Sequence, residues 1–195
     1  MDRLKLEFPT LARKEDAIEY IKEFHADGSR LDGTNRLEQY INDYPSWLKR
    51  LDEDLKKEPG EDRVPAETYF LVRESDNKIV GMINIRLTLN HNLWNFGGHI
   101  GYSIRPSERR KGYNKINLYL ALCICEKHGI EVVLLDCAKD NLGSSKTMRA
   151  LGGKMIYEYF DSEKNIVIQN YVIDVEKSLA ENKERFAEMI AKYPE

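Results

Sequence analysis

Residues 105–114 read RPSERRKGYN, between a strand-like run at 99–104 and an apolar, helix-like run at 114–128. That placement leaves the backbone N–H groups from about Arg110 to Lys115 as the orphan donors of a helix start. Those donors and the helix dipole together favour an anion. Gly112 lets the backbone approach an oxygen-rich group closely, and Arg109, Arg110 and Lys111 add mobile positive charge. A phosphate cradle accounts for both the position and the composition of the stretch. A solvated basic turn accounts for its composition alone. Cations at a helix start oppose the dipole, so local physics leaves both readings standing. A single glycine excludes the G-x-G-x-x-G dinucleotide fingerprint, and the lack of a following Gly-Lys-Ser/Thr excludes a Walker loop.

Working outward, the period of the apolar residues alternates between that of strands and that of helices. Leu4, Leu6 and Phe8 predict a strand; Ala17, Ile18, Ile21 and Phe24 predict a helix that stops near Gly28. Leu37, Tyr40, Ile41 and Tyr44 predict a second helix over 35–44, and Trp47, Leu48, Leu51 and Leu55 continue helical spacing after Pro45. The runs 67–74 and 79–89 form a predicted hairpin about a Ser-Asp-Asn-Lys turn. A Gly- and Asn-rich loop (90–98) precedes strand 99–104. Helix 114–128 is apolar on most faces and should be buried. Strand 131–137, a short helix near Ser144–Leu151, a closing hairpin (154–160 and 166–174) and a polar helix over 175–193 follow. The fold class is therefore α/β (α+β), with strands 99–104 and 131–137 expected parallel under a right-handed crossover. Residues 1–174 make one domain, and 175–195 make a helical tail suited to the domain or to a homodimer.

The 195 residues are 42% apolar and 32% charged, as expected of one globular domain. A net charge of −3 gives no field to gather nucleic acid, and Glu108 and Asp140 stand beside the basic residues. Cys123, Cys125 and Cys137 make no disulfide framework and no zinc spacing, so no metal is expected. Neither a signal sequence nor a run of spanning length occurs, so we expect a cytoplasmic protein without a membrane role.

At residues 97–153 the chain resembles the GNAT superfamily of acyl-CoA N-acyltransferases. The family signature Gln/Arg-x-x-Gly-x-Gly/Ala reads here Arg109-Arg-Lys-Gly112-Tyr-Asn114, and DNLGSSKTMRALGG (140–153) resembles the family's Asn-x-x-Ser and short helix ending in Gly. The order of elements over 1–174 agrees with that fold. It implies a mixed, mostly antiparallel sheet flanked by helices, with a strand pair splayed to take the pantetheine arm of coenzyme A. The turn 109–115 (Arg109, Arg110, Lys111, Gly112, Tyr113, Asn114, Lys115) would hold the pyrophosphate of acetyl-CoA. Ser103 and Ile104 would run along pantetheine, and Asn141 and Ser144 would contact the cofactor. The implied reaction is direct acetyl transfer to an amine of a small molecule or peptide, through a tetrahedral intermediate. Two positions depart from the family: Asn114 replaces the last Gly/Ala, and Met148 stands where many members carry a proton-donating Tyr. Those departures support an alternative, a non-catalytic acyl-CoA sensor.

A base must free the amine, whose pKa is roughly 10, of a proton. His99 shares a face with Gly101 and Ser103 and is a candidate for that role; a structural, hydrogen-bonded His is the competing reading. Asn84 and Arg86 share a face of the neighbouring strand, where they could meet an acceptor, with Arg86 on a carboxylate or in an internal ion pair. Trp94 reads as a lid or a plug, Tyr157 as a substitute acid or a packing residue, and Cys137 as a wall residue.

Overall fold

The computed structural model of the protein describes residues 2–194. Strand β1 (Leu4–Glu7) leads into helix α1 (Lys14–Asp27), which turns Ala17, Ile18, Tyr20, Ile21 and Phe24 inward. Helix α2 (Tyr44–Leu55) starts where the Asp43 carboxylate accepts the Ser46 N–H at 3.3 Å, with Pro45 in its first turn. Strands β2 (Ala66–Arg73) and β3 (Ile79–Arg86) form the hairpin, and the short helix α3 (His91–Asn95) precedes β4 (Ile100–Ile104). Helix α4 (Tyr113–Lys127), β5 (Val132–Ala138) and α5 (Leu142–Ala150) follow. The chain closes with β6 (Lys154–Asp161), β7 (Ile166–Asp174), α6 (Val175–Phe186) and β8 (Ile190–Lys192).

Two sheets result. One has the order β4-β3-β2-β1-β8, antiparallel except for the parallel pair β1–β8; the other is the antiparallel β5-β7-β6. Helix α4 packs against β3, β4, β1, α5 and α6, and its middle, from Ile116 to Leu122, is buried on every side, as its apolar run requires. Helices α1 and α2 cover the opposite face of the first sheet, where Trp47, Phe70, Val72 and Met82 form a second core.

Two expectations need correction. Residues 35–44 are not a helix: Asn35 and Arg36 adopt φ of 49° and 66°, and only a 3₁₀ turn forms at Leu37–Gln39. The Trp47 indole N–H, held 3.1 Å from the Thr34 carbonyl, fixes this loop instead. The tail helix ends at Phe186 rather than running to 193; Phe186 packs on Tyr119 (5.0 Å between rings) and β8 then joins β1. The pair β4 and β5 is splayed, as the fold class requires, and shares no ladder. They meet only at their starts, where His99 N–H donates to the Leu134 carbonyl (2.8 Å) and Leu134 N–H donates to His99 Nδ1 (3.0 Å). Beyond that stitch the sheets part.

Candidate active site

The stretch at 105–114 becomes a rigid bracket. Arg105, only 2% exposed, lies over the Tyr20 ring (5.6 Å) and donates to Glu19 at 3.3 Å. Residues Pro106–Glu108 make one 3₁₀ turn that buries the Glu108 carboxylate. That carboxylate accepts from Arg73 (2.7 Å), Lys111 (2.7 Å) and Lys78 (3.1 Å). Burial pushes the Glu108 carboxyl up, but bonds from Arg73, Lys111 and Lys78 outweigh this and hold it down at about 2. Arg110 and Gly112 then take left-handed conformations (φ 64° and 84°), which swing the chain into α4. No side chain caps α4, and Lys115 N–H turns back to the Gly112 carbonyl at 3.1 Å. The amides of Tyr113 and Asn114 are left without an intrahelical acceptor.

Those amides border a cavity of about 650 Å³ bounded by the end of β4, the bracket, the starts of α4 and α5, and the loop after α1. Ser103, Ile104, Arg109, Arg110, Gly112, Tyr113, Asn114, Lys115, Asn141 and Ser144 all line it. Lys111 does not; its charge is spent on Glu108. Arg109 is braced by Asp27 (3.0 Å), Ser29 (2.9 Å) and the face of Phe24 (5.3 Å). Asn114 explains its own departure from the signature: its amide donates to Thr147 at 3.3 Å, tying α4 to α5. Its Oδ1 is buried and has no hydrogen-bond partner among the described residues.

The open edge of β4 forms another wall. Arg86 N–H bonds the His99 carbonyl and Arg105 N–H bonds the Val80 carbonyl, so the odd residues of β4 face β3. By strand alternation the N–H and C=O of Tyr102 and Ile104 point into the gap between the sheets. Here the large cavity meets a second one of about 240 Å³, and Arg30, Asp32, Tyr102, Asn141 and Ser144 line both. The Tyr102 and Ser144 hydroxyls are 2.7 Å apart. Asp32 is set there by backbone contact. A Cβ on Gly33 (φ 75°) would lie 2.4 Å from the Gly101 carbonyl oxygen, so only glycine lets the loop seat on β4. The Ser103 hydroxyl then donates to the Asp32 carbonyl at 2.5 Å.

Burial raises the Asp32 carboxyl above its ordinary value, against the pull of Arg30, and burial also raises the Tyr102 phenol. The Cys137 thiol in the small cavity is pushed up to about 11 by burial, so it is protonated near neutrality and is no nucleophile.

The other proposed site residues divide. Arg86 lines the small cavity. His99 lines neither; it stitches β4 to β5, and burial, reinforced by Arg86, lowers it to about 4. The structure thus favours a structural His over a base. Asn84 is buried and donates to Thr68 Oγ1 (3.0 Å) and the Glu67 carbonyl (3.3 Å), so it is spent inside the sheet and reaches no cavity. Trp94 and Tyr157 are exposed and line neither cavity, and Met148 is wholly buried. Asp32 and Tyr102 escape a reading of the sequence. The Gly33 beside Asp32 was a local hint, but only the fold brings that loop to β4.

With this geometry, the class is defined: the chain belongs to the acetyltransferase (GNAT) family, whose sequence model matches residues 34–152. Solved structures share the fold across nearly the whole chain. RimJ from Mycobacterium smegmatis, in complex with CoA-disulfide, superposes with a TM-score of 0.67 at 14% identity, covering 93% of this chain and 92% of that one. The ribosomal-protein-S5-alanine acetyltransferase of Vibrio fischeri gives 0.66 at 12% identity, covering 89% and 94%. The microcin C7 self-immunity acetyltransferase MccE, in complex with acetyl-CoA and AMP, gives 0.65 at 16% identity, covering 89% and 93%. No curated protein sequence matches significantly. Among the described residues, no helix is long and apolar enough to cross a membrane.

Proposed function

We propose that the protein is an N-acetyltransferase that carries an acetyl group from acetyl-CoA directly to a primary amine. The observation that carries this reading is the uncapped start of α4, facing a cavity whose other wall is the unpaired edge of β4. A pyrophosphate is an acceptor for the Tyr113 and Asn114 amides, with Arg109, Arg110 and Lys115 around it. An extended pantetheine amide suits the outward N–H and C=O of Tyr102 and the N–H of Ile104, whose carbonyl already accepts from Arg109 Nε at 3.3 Å.

Bound acetyl-CoA supplies the activated acetyl thioester. An alkylammonium of pKa roughly 10 first releases one proton to solvent. The amine lone pair then attacks the carbonyl carbon, so that a C–N bond forms and the C–S bond breaks. Asp32, lining both cavities, takes the remaining N–H proton, while the Tyr102 phenol gives its proton to the departing thiolate. Both groups afterwards exchange those protons with water. Tyr102 supplies the acid that Met148 does not, which favours an enzyme over a passive acyl-CoA sensor.

The test is a coenzyme A thermal-shift titration with thiol release measured over a panel of amines. Gly112→Asp would set a carboxylate against the pyrophosphate in open space, since nothing lies within 4 Å of an added Cβ. Gly112→Asn, which tolerates the left-handed backbone without the charge, is its control. The shift should vanish in the first and survive in the second. Equal shifts in both variants would show that the pyrophosphate lies elsewhere.

A further inference from the structure

Resting on that reading, we infer that the small cavity takes a free amino carboxylate, its carboxylate on Arg86 and its amine beside Asp32. The volume of about 240 Å³ is below the ~300–1,000 Å³ of drug-sized sites, so it suits a small polar molecule. Its walls carry Arg30, Arg86 and Lys164 against Asp32 and Asp136, a mixture that matches a zwitterion better than a polyamine.

Most of these charges are already engaged. Arg30 donates to Asp32 at 3.2 Å, and Lys164 donates to Asp161 at 2.8 Å. Arg86 differs. Its Nη1 bonds the carbonyls of Gly97 (3.1 Å) and Gly98 (2.8 Å), while Nε and Nη2 have no hydrogen-bond partner among the described residues. The Gly97 N–H in turn donates to Asp136 Oδ2 at 2.9 Å, so one residue braces both the guanidinium and a neighbouring carboxylate. Over Nη2 stands Gly101, where an added Cβ would lie 3.7 Å away; its absence leaves that donor open to the cavity. A planar guanidinium fixed at one nitrogen, with the other two available, is suited to a carboxylate. Asp32 lies at the junction with the large cavity, so the same molecule would reach the thioester with its amine.

The experiment compares free amino acids with their carboxamides and with diamines of similar length. It reads binding by calorimetry, to the protein with and without coenzyme A, and acetylation by thiol release. Amino carboxylates should exceed the matching carboxamides by at least about ten-fold in kcat/KM, mostly through KM. Arg86→Gln should bring the two classes to parity while the coenzyme A shift is retained, and Arg86→Lys should restore part of the preference. Equal or better use of carboxamides or diamines would overturn the assignment. So would a preference that survives Arg86→Gln, or a failure of every amino carboxylate to bind while coenzyme A does. A missing coenzyme A shift would instead sink the acetyl-transfer reading; binding of amino carboxylates to the free protein would still decide the fate of the small cavity.

Discussion

The Tyr102 hydroxyl, on the last paired strand of one sheet, lies 2.7 Å from the Ser144 hydroxyl at the start of α5. This contact ties β4 to α5 at the point where the large and small cavities join. Burial raises the phenol's pKa, so Tyr102 holds its proton across the neutral range and still carries it when a thiolate departs beside it.

Removing that proton should slow chemistry and spare binding. In Tyr102→Phe, kcat should fall by about 10²–10⁴-fold, the range for a positioned acid, with little change in the acetyl-CoA KM. Ser144→Ala keeps the phenol and should lose less. Steady-state thiol-release kinetics decide the matter, and an unchanged kcat in Tyr102→Phe would leave the thiolate departing unaided.

Asp32 should set an acidic limb in the pH–rate profile. As base it must be ionised, so kcat/KM rises with pH through its pKa, which burial places above the ordinary 3.8. The Asp32→Asn protein should lose that limb and most of kcat, while the limb due to the acceptor's own amine remains. Stability should move the other way. A carboxyl with a raised folded pKa costs stability as pH climbs through that value, so the Asn variant should melt higher at pH 7.

The bracket was legible because its signals are local: a strand end, an αL glycine and a helix start lie within ten residues. Lys111 was misread because the carboxylate that claims it, Glu108, is buried only once Arg73 and Lys78 arrive from 30 or more residues away. The helix expected over 35–44 shows the same limit. Its apolar residues do pack inward, but Asn35 and Arg36 in the left-handed region break the backbone while their neighbours keep helical spacing. His99 had the right residue type for a base, yet its partner Leu134 is on another sheet, and only that contact reveals its role.

That role predicts a stability effect in place of a pH limb. His99 accepts Leu134 N–H on Nδ1, so it is neutral in the fold, lowered to about 4 from an ordinary 6.5. The stability this represents is present above about 6.5 and is lost as pH falls through about 4. Urea titrations should show wild type losing roughly 3 kcal/mol more than His99→Ala between those pH values. His99→Asn, whose Oδ1 can still accept from Leu134, should keep most of the activity. A loss of kcat in His99→Asn with an intact coenzyme A shift would restore the imidazole as base.

Glu108 carries the converse sign. Its carboxyl, only 5% exposed, is held at about 2 by Arg73, Lys111 and Lys78, against an ordinary 4.5. The folded pKa is depressed, so the stabilisation is complete above about 4.5 and disappears as pH falls toward 2. Glu108→Gln should therefore unfold at lower urea than wild type at pH 7, with the gap closing only as pH falls toward 2. The same substitution releases Lys111, 47% exposed, from its only carboxylate partner among the described residues. Freed beside the open start of α4, that ammonium should tighten coenzyme A binding at low salt and lose the gain as ionic strength rises. Stability that is insensitive to the substitution at pH 7 would mean the three cations do not hold the bracket, and its shape would then rest on Arg105 and the two left-handed residues alone.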